Sequence, residues 1–531
     1  MIEILPDDVL LSIFRLCLEA SPKSWPELAH VCQAWRQIIL NSPLGLDLRL
    51  YCTHGTPVLK TMEYWPPLPL VVKYGGTPML NPPAPEDEEN IMVALKQSGR
   101  VGSISLTITN SLLKNLSTIS DPFSELEQLI LISQDNVQLT LPSSFQWGPR
   151  LRTLHSTRIA IPTLPRRLSP TAGLVDLQLH EIPISGYFPP DSFANTLSEM
   201  SHLETLSLHF LSLPPRRKVV SLPPQPVERS VLPLLTCLKY RGTSKYLDSF
   251  VARIDAPHLE DMDITFFYQP TMDTLQLDQF VERIETQKYL SQGDIVFSES
   301  AVSIHFTQPD GPTRLTLQIS CKQSDWQLAS MAQILHQFTH IPHRVENLSI
   351  DATQPPSGQD VVGGEQWMDL VRTFGCAKNF RVAGEFTQQI LLHTFGQAGG
   401  DNTTVLPALR HLHIMDTLTM NERLLSFTSS RLLSGCPVQV DAPSHRCHIC
   451  RTCCKEEWEL KIHFVFEHAY RLVCSHCGDF DCTMTLYHFH DHLERMHFKE
   501  HFSFDTMSHL YQHTTLYAPD VSTMVTAMDP Q

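Results

Sequence analysis

A short leucine pattern, Leu-x2-Leu-x-Leu, recurs through the middle of this chain of 531 residues. Full copies begin at Leu126, Leu174 and Leu203, and shorter or looser copies begin at Leu151, Leu259, Val345 and Leu409. Apolar residues that alternate in this way predict short strands with one buried face. Because one such unit cannot cover its own apolar face, neighbouring units are expected to stack on a continuous core.

The spacing of these units resembles that of leucine-rich repeats. Four successive copies start at residues 126, 151, 174 and 203, and such repeats have a period of about 20–29 residues. The Asn or Cys that normally follows the third leucine by three residues is replaced by Gln134, Ile182 and Leu211. We therefore predict an irregular, curved solenoid over residues 100–440, with exposed loops at 211–234, 353–365 and 396–404. The alternative is an ordinary α/β domain with leucine-rich strands.

The first fifty residues have apolar positions at helical spacing. Pro6 can begin a helix, Pro22 lies beyond its expected end, and Pro43 stops a later helix. The pattern predicts three short helices. We expect them to bury one small core, formed by Phe14, Leu28, Val31, Trp35 and Ile38.

Three motifs follow one another in this segment: Leu5-Pro6, Ile13-Phe14 and Val31-Cys32-x2-Trp35. Their order and spacing resemble the F-box. In that family the Leu-Pro end and apolar residues of the first and third helices bind the Skp adaptor of a cullin-RING ubiquitin ligase. The resemblance implies adaptor contacts for Leu5, Pro6, Val9, Ile13, Val31 and Trp35. The alternative is that these residues form only the core of a helical bundle.

Residues 51–99 are rich in proline and are predicted to link the F-box to the repeats. An acidic run from Glu86 to Glu89 favours the positive end of a helix dipole. We expect that helix to end at Gly99. Beyond it, the stretch from Leu235 to Leu259 resembles the large fungal F-box family.

Two Cys/His blocks lie close together near the end of the chain. They read Cys447-x2-Cys450-x12-His463-x4-His468 and Cys474-x2-Cys477-x14-His492-x4-His497. Thiolate and imidazole ligands at this spacing are typical of tetrahedral zinc. We predict two structural zinc ions within residues 445–501, since four protein ligands leave no open position for catalysis.

The ligand set of the second block leaves two alternatives. Its central gap of 14 residues would shorten to 12 if His490 replaced His492. His490 would then lie too far from His497 for the two to share one helical turn, so we favour His492. A different alternative is that both blocks contain reduced cysteines and surface histidines without metal.

The predicted zinc fingers lack the residues that read DNA. The helix positions that contact bases in such fingers are occupied by Glu456, Glu459, Ile462, Thr485, His488 and Asp491. None is an Arg or Lys that could bind guanine, or an Asn or Gln that could bind adenine. Residues 445–501 hold seven Lys and Arg against nine Asp and Glu. We expect little affinity for duplex DNA.

Charge and cysteine usage limit the environment of the chain. The net charge of −16 argues against general attraction to a phosphate backbone. Of the 14 cysteines, seven lie within residues 447–482 and the others are scattered singly, which is not a disulfide pattern. A reducing compartment, cytosol or nucleus, is expected. We find no signal peptide and no run of 18 apolar residues, so no membrane association is expected.

These features predict an α/β protein with a small helical F-box bundle at 1–50, a linker and helix at 51–99, an irregular leucine-rich-repeat-like solenoid at 100–440, a small zinc-finger module at 445–501 and a tail at 502–531. The implied function is that of a non-catalytic substrate-recognition subunit of a Skp–cullin–F-box ubiquitin ligase. The F-box would bind the Skp adaptor and, through it, the cullin, and the array or zinc tail would bind an unknown target protein. The alternatives are a zinc-finger nucleic-acid binder or transcription regulator, and a scaffold that acts without a ligase.

Overall fold

A computed structural model describes most of the chain up to residue 441. The described ranges are 5–55, 57–74, 85–133, 138–212, 229–321, 324–338, 340–352, 364–384, 387, 389–391, 405–415 and 422–441, with the backbone of 445–446, 453–454, 471–474 and 514–517. The chain forms two compact units. The first contains Met1–Leu290, His305–Ser320 and His336–His340, and the second contains Ser291–Ile304, Cys321–Leu335 and Ile341–Gln531.

Helices occur at the start of the chain and then between strands. They are α1 (Asp7–Ala20), α2 (Trp25–Val31), α3 (Gln33–Asn41), α4 (Val58–Tyr64), α5 (Pro85–Leu95), α6 (Asn110–Leu116), α7 (Leu164–Leu168), α8 (Pro190–Leu197), α9 (Ser244–Val251), α10 (Leu275–Glu282), α11 (Ser324–Gln337), α12 (Gly364–Arg372) and α13 (Glu422–Leu433). Short 3-10 turns lie at Ser98–Arg100, Ile184–Gly186, Thr286–Tyr289 and Pro342–Arg344. In the described part of the chain, no helix is long and apolar enough to cross a membrane.

The strands of the first unit form a parallel series. They are β1 (Leu50–Thr53), β2 (Leu70–Tyr74), β3 (Val101–Ile108), β4 (Gln128–Ser133), β5 (Leu139–Thr140), β6 (Thr153–Thr157), β7 (Ile159–Ala160), β8 (Asp176–Ile182), β9 (Thr205–Phe210), β10 (Ser230–Val231), β11 (Cys237–Gly242), β12 (Ile254–Asp255) and β13 (Asp261–Phe267). The main order continues from β1, β2, β3 and β4 through β6, β8, β9, β11 and β13, and each neighbouring pair is parallel. Two short parallel pairs, β5 with β7 and β10 with β12, lie outside it.

Later strands are β14 (Gln292–Phe297), β15 (Ala301–Thr307), β16 (Arg314–Ser320), β17 (Asn347–Ala352), β18 (Asn379–Gly384), β19 (His411–Ile414) and β20 (Gln439–Asp441). Strand β16 belongs to the first unit and pairs in parallel with β13. In the second unit β14, β17, β18, β19 and β20 pair in that order, again in parallel. Four short strands follow: β21 (His445–Arg446), β22 (Cys453–Cys454), β23 (Arg471–Cys474) and β24 (Thr514–Tyr517).

The leucines of the recurring pattern form a buried ladder across these strands. Leu129, Leu154, Leu177, Leu206 and Leu238 lie opposite one another in successive strands. All five are fully buried, whereas their neighbours along each strand are largely half-buried. The alternation predicted from the sequence is therefore present, because side chains on a strand point to opposite faces in turn.

Long polar side chains of two helices donate hydrogen bonds to backbone carbonyls. The Arg167 guanidinium donates to the carbonyl oxygens of Pro142 at 2.7 Å and Phe145 at 2.9 Å. In the second unit, the Gln327 amide donates to the carbonyl oxygen of Cys321 at 2.6 Å. Backbone carbonyls inside a protein need such partners, and these helix residues provide them.

The segment 51–99, predicted to be a linker, contributes strands to the sheet. β2 pairs in parallel with both β1 and β3, and Leu70, Val72 and Tyr74 are buried. The prediction overlooked them because proline-rich flanks and the absence of the leucine pattern obscured two short apolar runs. The acidic helix begins at Pro85 as expected, but it ends at Leu95, and a 3-10 turn occupies Ser98–Arg100.

The core of the first three helices differs from the predicted one. Phe14 is fully buried as expected, but Val31 is 60% exposed. Trp25, which was not predicted to be in the core, is 1% exposed. Cys32 is extended (φ −157°, ψ 170°) and separates α2 from α3. The helical period therefore breaks after Val31, and this residue does not continue the apolar stripe of α3.

Asp248 links two successive helices of the first unit. Its side chain lies on α9, and its Oδ1 accepts from the backbone N–H groups of Gln276 at 2.7 Å and Leu277 at 3.1 Å. These groups are in the first turn of α10, where backbone N–H groups have no partner within the helix. Burial raises the pKa of the Asp248 carboxyl to about 6, against the opposing effect of the two N–H donors.

Replacing Asp248 by Ala should lower the free energy of unfolding at pH 7 by about 1–2 kcal/mol, because two N–H groups lose their acceptor. Asp248→Asn keeps the acceptor and should lose less. The native state binds the Asp248 proton more tightly than the unfolded chain does. The stabilisation that comes from this tighter proton binding therefore falls as the pH rises from 3.8 to about 6. The Asn variant has no carboxyl at this position and should lack this pH dependence of stability.

Urea unfolding of the wild type and both Asp248 variants at several pH values measures these effects. Asp310→Ala, at an exposed turn residue, provides the control and should leave the midpoint unchanged. A wild-type midpoint for Asp248→Ala would show that the carboxylate does not cap α10.

Candidate protein-interaction surfaces

The helix α1 has two apolar faces. One face is buried and contains Leu10, Phe14 and Leu18. The other is open to solvent: Val9 is 42% exposed and Ile13 is 40% exposed. Residues four apart lie on the same side of a helix, so Val9 and Ile13 are neighbours. We call this surface, with Leu5 and Leu16, the α1 apolar face.

Both ends of this surface are also open to solvent. Leu5 is 39% exposed ahead of the helix, and Leu16 is 67% exposed on its second half. Single exposed leucines are ordinary, but a continuous exposed apolar patch marks an interaction site. The α1 apolar face is therefore suited to bind the apolar surface of another protein.

The predicted adaptor contacts differ in their exposure. Leu5, Pro6, Val9, Ile13 and Val31 are exposed. Trp35 is half-buried, and its ring meets the Phe14 ring edge-on at a centroid distance of 4.8 Å. This contact joins α1 to α3, so Trp35 both supports the core and offers part of its surface.

A tryptophan joins the three helices to the first strand. The Trp25 indole N–H donates to the carbonyl oxygen of Arg49 at 2.8 Å, and its ring packs edge-on against Trp65 at 4.6 Å. Arg49 immediately precedes β1. Buried indole N–H groups require a partner, so this bond fixes the helices against the start of the sheet. The sequence offered no motif that pointed to Trp25.

Polar side chains occupy the half-exposed face of the first unit's sheet. His155 on β6 hydrogen-bonds the carboxylate of Asp176 on β8 at 2.6 Å. His180 hydrogen-bonds the Ser207 hydroxyl at 2.9 Å, and the rings of His180 and His209 stack at 4.5 Å. Strand alternation gave the signal that could have located the histidines His155 and His209, since each lies between two buried positions.

Burial lowers the pKa of both stacked histidines. For His209 burial is the main cause, and the positive charge that His180 carries when protonated adds to it, so that the pKa falls to about 4. The pKa of His180 is lowered by burial and by His155. Both rings are therefore neutral at pH 7, and this face provides hydrogen-bonding groups rather than a cluster of positive charge.

The predicted zinc ligands fall outside the residues whose side chains the structure describes. They are Cys447, Cys450, His463, His468, Cys474, Cys477, His492 and His497. The described backbone nearby consists of two antiparallel pairs, β21 with β22 and β23 with β24. Strands β21 and β22 flank the first Cys pair in the sequence. Elsewhere in the described chain, no group of three or more His, Cys, Asp or Glu residues is arranged to hold a metal ion.

Comparison with known families identifies the N-terminal segment. The F-box-like family matches residues 2–44, which include α1, α2 and α3. No curated protein matches the chain. The prediction of an F-box at this end is thus confirmed as an F-box-like domain, and such a domain suggests an adaptor-binding role in a ubiquitin ligase. The predicted leucine-rich array and the predicted zinc fingers lie beyond the matched residues.

Proposed function

We propose that this chain is the substrate-recognition subunit of a Skp–cullin–F-box ubiquitin ligase. One observation supports this most strongly. The segment that matches the F-box-like family exposes the α1 apolar face. Binding of the Skp adaptor would bury these side chains, and burial of apolar area is the main favourable contribution to association. The proposed contacts are Leu5, Pro6, Val9, Ile13, Val31 and Trp35.

The connection between the helices and the sheet fits such a receptor. The Trp25 bond to Arg49 holds the helices against β1, where the parallel strand series begins. A ligase subunit without catalytic residues acts by holding the target near the enzyme that transfers ubiquitin. A fixed geometry increases the effective concentration of the target at that enzyme. In this proposal the cullin brings that enzyme to the complex, and the adaptor links the cullin to this chain.

The target-binding part in this proposal is the leucine-rich-repeat-like array, the zinc tail, or both. Its support is the buried leucine ladder and the half-exposed polar face with His155, His180 and His209. Solenoids commonly bind partners on the extended surface that stacked repeats create. We place the protein in the cytosol or nucleus, since its scattered cysteines suit a reducing compartment.

Reconstitution of the full chain with the Skp adaptor and the cullin tests this function. The immobilised chain should retain the cullin only when the adaptor is present, because the adaptor bridges the two. Failure to retain the cullin in the presence of the adaptor, or equal retention without it, would exclude the proposed assembly.

The zinc tail is a separate part of the proposal. Two structural zinc ions would be held by the two Cys2His2 sets, with His492 favoured over His490 in the second set. Elemental analysis of the purified chain should give two zinc ions per molecule. Cys447→Ser and Cys474→Ser should each remove one ion, because each thiolate belongs to a different set.

Cys436→Ser is the matched control, since Cys436 is an exposed free cysteine outside both sets. It should retain two ions. A zinc-free chain, or equal zinc contents in all three variants, would refute the zinc assignment without affecting the F-box proposal.

A further inference from the structure

A pocket of about 640 Å³ opens in the second unit, beside β18, β19 and β20 and the end of α13. Three cationic side chains line it, those of Lys378, Arg410 and Arg431, together with His411 and Gln439. No Asp or Glu is among its described lining residues. A concentration of positive charge is unusual in a chain whose net charge is −16. We call it the basic pocket.

The guanidinium of Arg431 is the innermost of these charges. Arg431 is 1% exposed, and its Nη2 donates to the carbonyl oxygens of Pro407 at 3.0 Å and Leu409 at 3.1 Å. Its Nε lacks a hydrogen-bond partner, and no carboxylate among the described residues pairs with it. A buried charge without a counter-ion is costly, so the pocket is electrostatically complementary to an anion.

Arginines of the first unit show which contacts of Arg431 have a structural role. Arg283, at the end of α10, also donates to backbone carbonyl oxygens, those of Val251 and Ile254. It is neutralised by the Asp255 carboxylate at 2.6 Å. The carbonyl bonds of Arg431 thus have a structural counterpart in the first unit. Arg167 of the first unit likewise donates to carbonyl oxygens and pairs with no carboxylate among the described residues, so the feature that sets Arg431 apart is its position on the pocket.

The other two cations differ in how strongly they are held. The Lys378 ammonium pairs with the Glu346 carboxylate at 2.6 Å, and both side chains are about half exposed. Arg410 is exposed and forms no ion pair with any described residue. A guanidinium offers a planar set of donors that matches a carboxylate or phosphoryl group. Arg410 is therefore the cation most available to a ligand.

We propose that the basic pocket binds an anionic group, carboxylate or phosphoryl, on a peptide segment of the target protein. The inference rests on the proposed function and names the chemistry by which the target is recognised. Arg410 would contact the anion directly, and Arg431 would supply the buried positive charge. Lys378 would contribute once its partial pairing with Glu346 is loosened by the ligand.

Fluorescence anisotropy with the full-length chain tests this site. One labelled probe is a hexaglutamate peptide, and the other is an alanine-glycine peptide with a single phosphoserine. At least one probe should bind, and the affinity should fall as salt rises, since the contact is between charges. Arg410→Glu should weaken binding at least about tenfold, since it places a repelling charge at the pocket.

Arg166→Glu is the control, because Arg166 is an exposed arginine of helix α7 outside the pocket. It makes the same charge change and should alter binding less than about twofold. Arg431→Gln is a second pocket variant, and its urea midpoint is measured first to show that it folds. The folded variant should also bind the probe more weakly than the wild type does. Binding of only one probe would assign the anion as carboxylate or phosphoryl.

The site would be refuted if neither probe bound, or if Arg410→Glu bound as the wild type does. Adaptor capture by Arg410→Glu is measured in parallel and should be unchanged, since Arg410 lies outside the F-box-like segment. Loss of peptide binding with intact adaptor capture would therefore separate this inference from the proposed ligase function.

Discussion

Ile13→Asp should weaken binding of the Skp adaptor by at least about a hundredfold, about 2.7 kcal/mol, without unfolding the N-terminal helices. Ile13 is 40% exposed in the free chain and lies at the centre of the α1 apolar face. In the complex it would be buried, and a carboxylate there would lose water without gaining a partner. A few residues near the centre of an interface commonly account for most of its binding energy.

The matched control is Leu59→Asp on α4, since Leu59 is 59% exposed and lies beyond the matched residues 2–44. It introduces the same charge on an exposed apolar side chain and should change adaptor affinity less than about twofold. Surface plasmon resonance with the purified adaptor gives both affinities. An Ile13→Asp variant that binds like the control would exclude the α1 apolar face as the docking surface.

Phe14→Ala should destabilise the N-terminal helices by about 3–4 kcal/mol, although it is adjacent to Ile13 in sequence. Phe14 is fully buried and packs against Trp35, so the substitution removes a ring from the core and leaves a cavity. The loss is a large fraction of the stability of a typical domain. Adaptor binding should fall as well, but through loss of structure rather than loss of a contact.

Hydrogen exchange measured along the chain distinguishes the two effects. In Phe14→Ala, protection should fall over residues 7–41 and be retained in the leucine ladder, whereas Ile13→Asp should leave both unchanged. Leu16→Ala, at a position 67% exposed, is the control and should cost less than about 0.5 kcal/mol. Wild-type protection in Phe14→Ala would show that its ring does not support the helices.

Sequence patterns located the elements that have clear local signals, such as a proline beyond a helix end or alternating apolar residues. The first and third helices end close to the predicted positions, because Pro22 and Pro43 lie just beyond their ends. The strands at the leucine pattern also form, because each copy alternates apolar and polar residues over a length suited to one strand. Local signals of this kind need no knowledge of the rest of the fold.

Features that depend on tertiary packing were not predictable in the same way. Val31 reads as a core residue, but the extended Cys32 breaks the helix after it and leaves its side chain 60% exposed. Strands β1 and β2 lack the leucine pattern, and they join the sheet because β2 pairs with β3 and β1 pairs with β2. Strand β16, with Leu315 and Leu317 buried, likewise extends the ladder beside β13 without matching it.

The two candidate sites also differ in how far they could be predicted from the sequence. Most of the α1 apolar face could be proposed from sequence, because Leu5 and Ile13 belong to motifs that resemble the F-box and Val9 was among the contacts this resemblance implies. The basic pocket could not, because Lys378, Arg410 and Arg431 come from separate elements and carry no recognisable spacing. Arg431 in particular reads as an ordinary helix-end cation, and only the fold shows that it is buried without a carboxylate partner among the described residues.

Calorimetric titration of the purified Skp adaptor into the intact chain tests the central claim most directly. We predict a complex with one adaptor per chain, and no measurable binding to a folded Leu5→Asp, Pro6→Ala double variant, because that variant disrupts the exposed Leu-Pro end. An intact, folded chain that binds no adaptor would contradict the account. So would a double variant that binds with wild-type affinity.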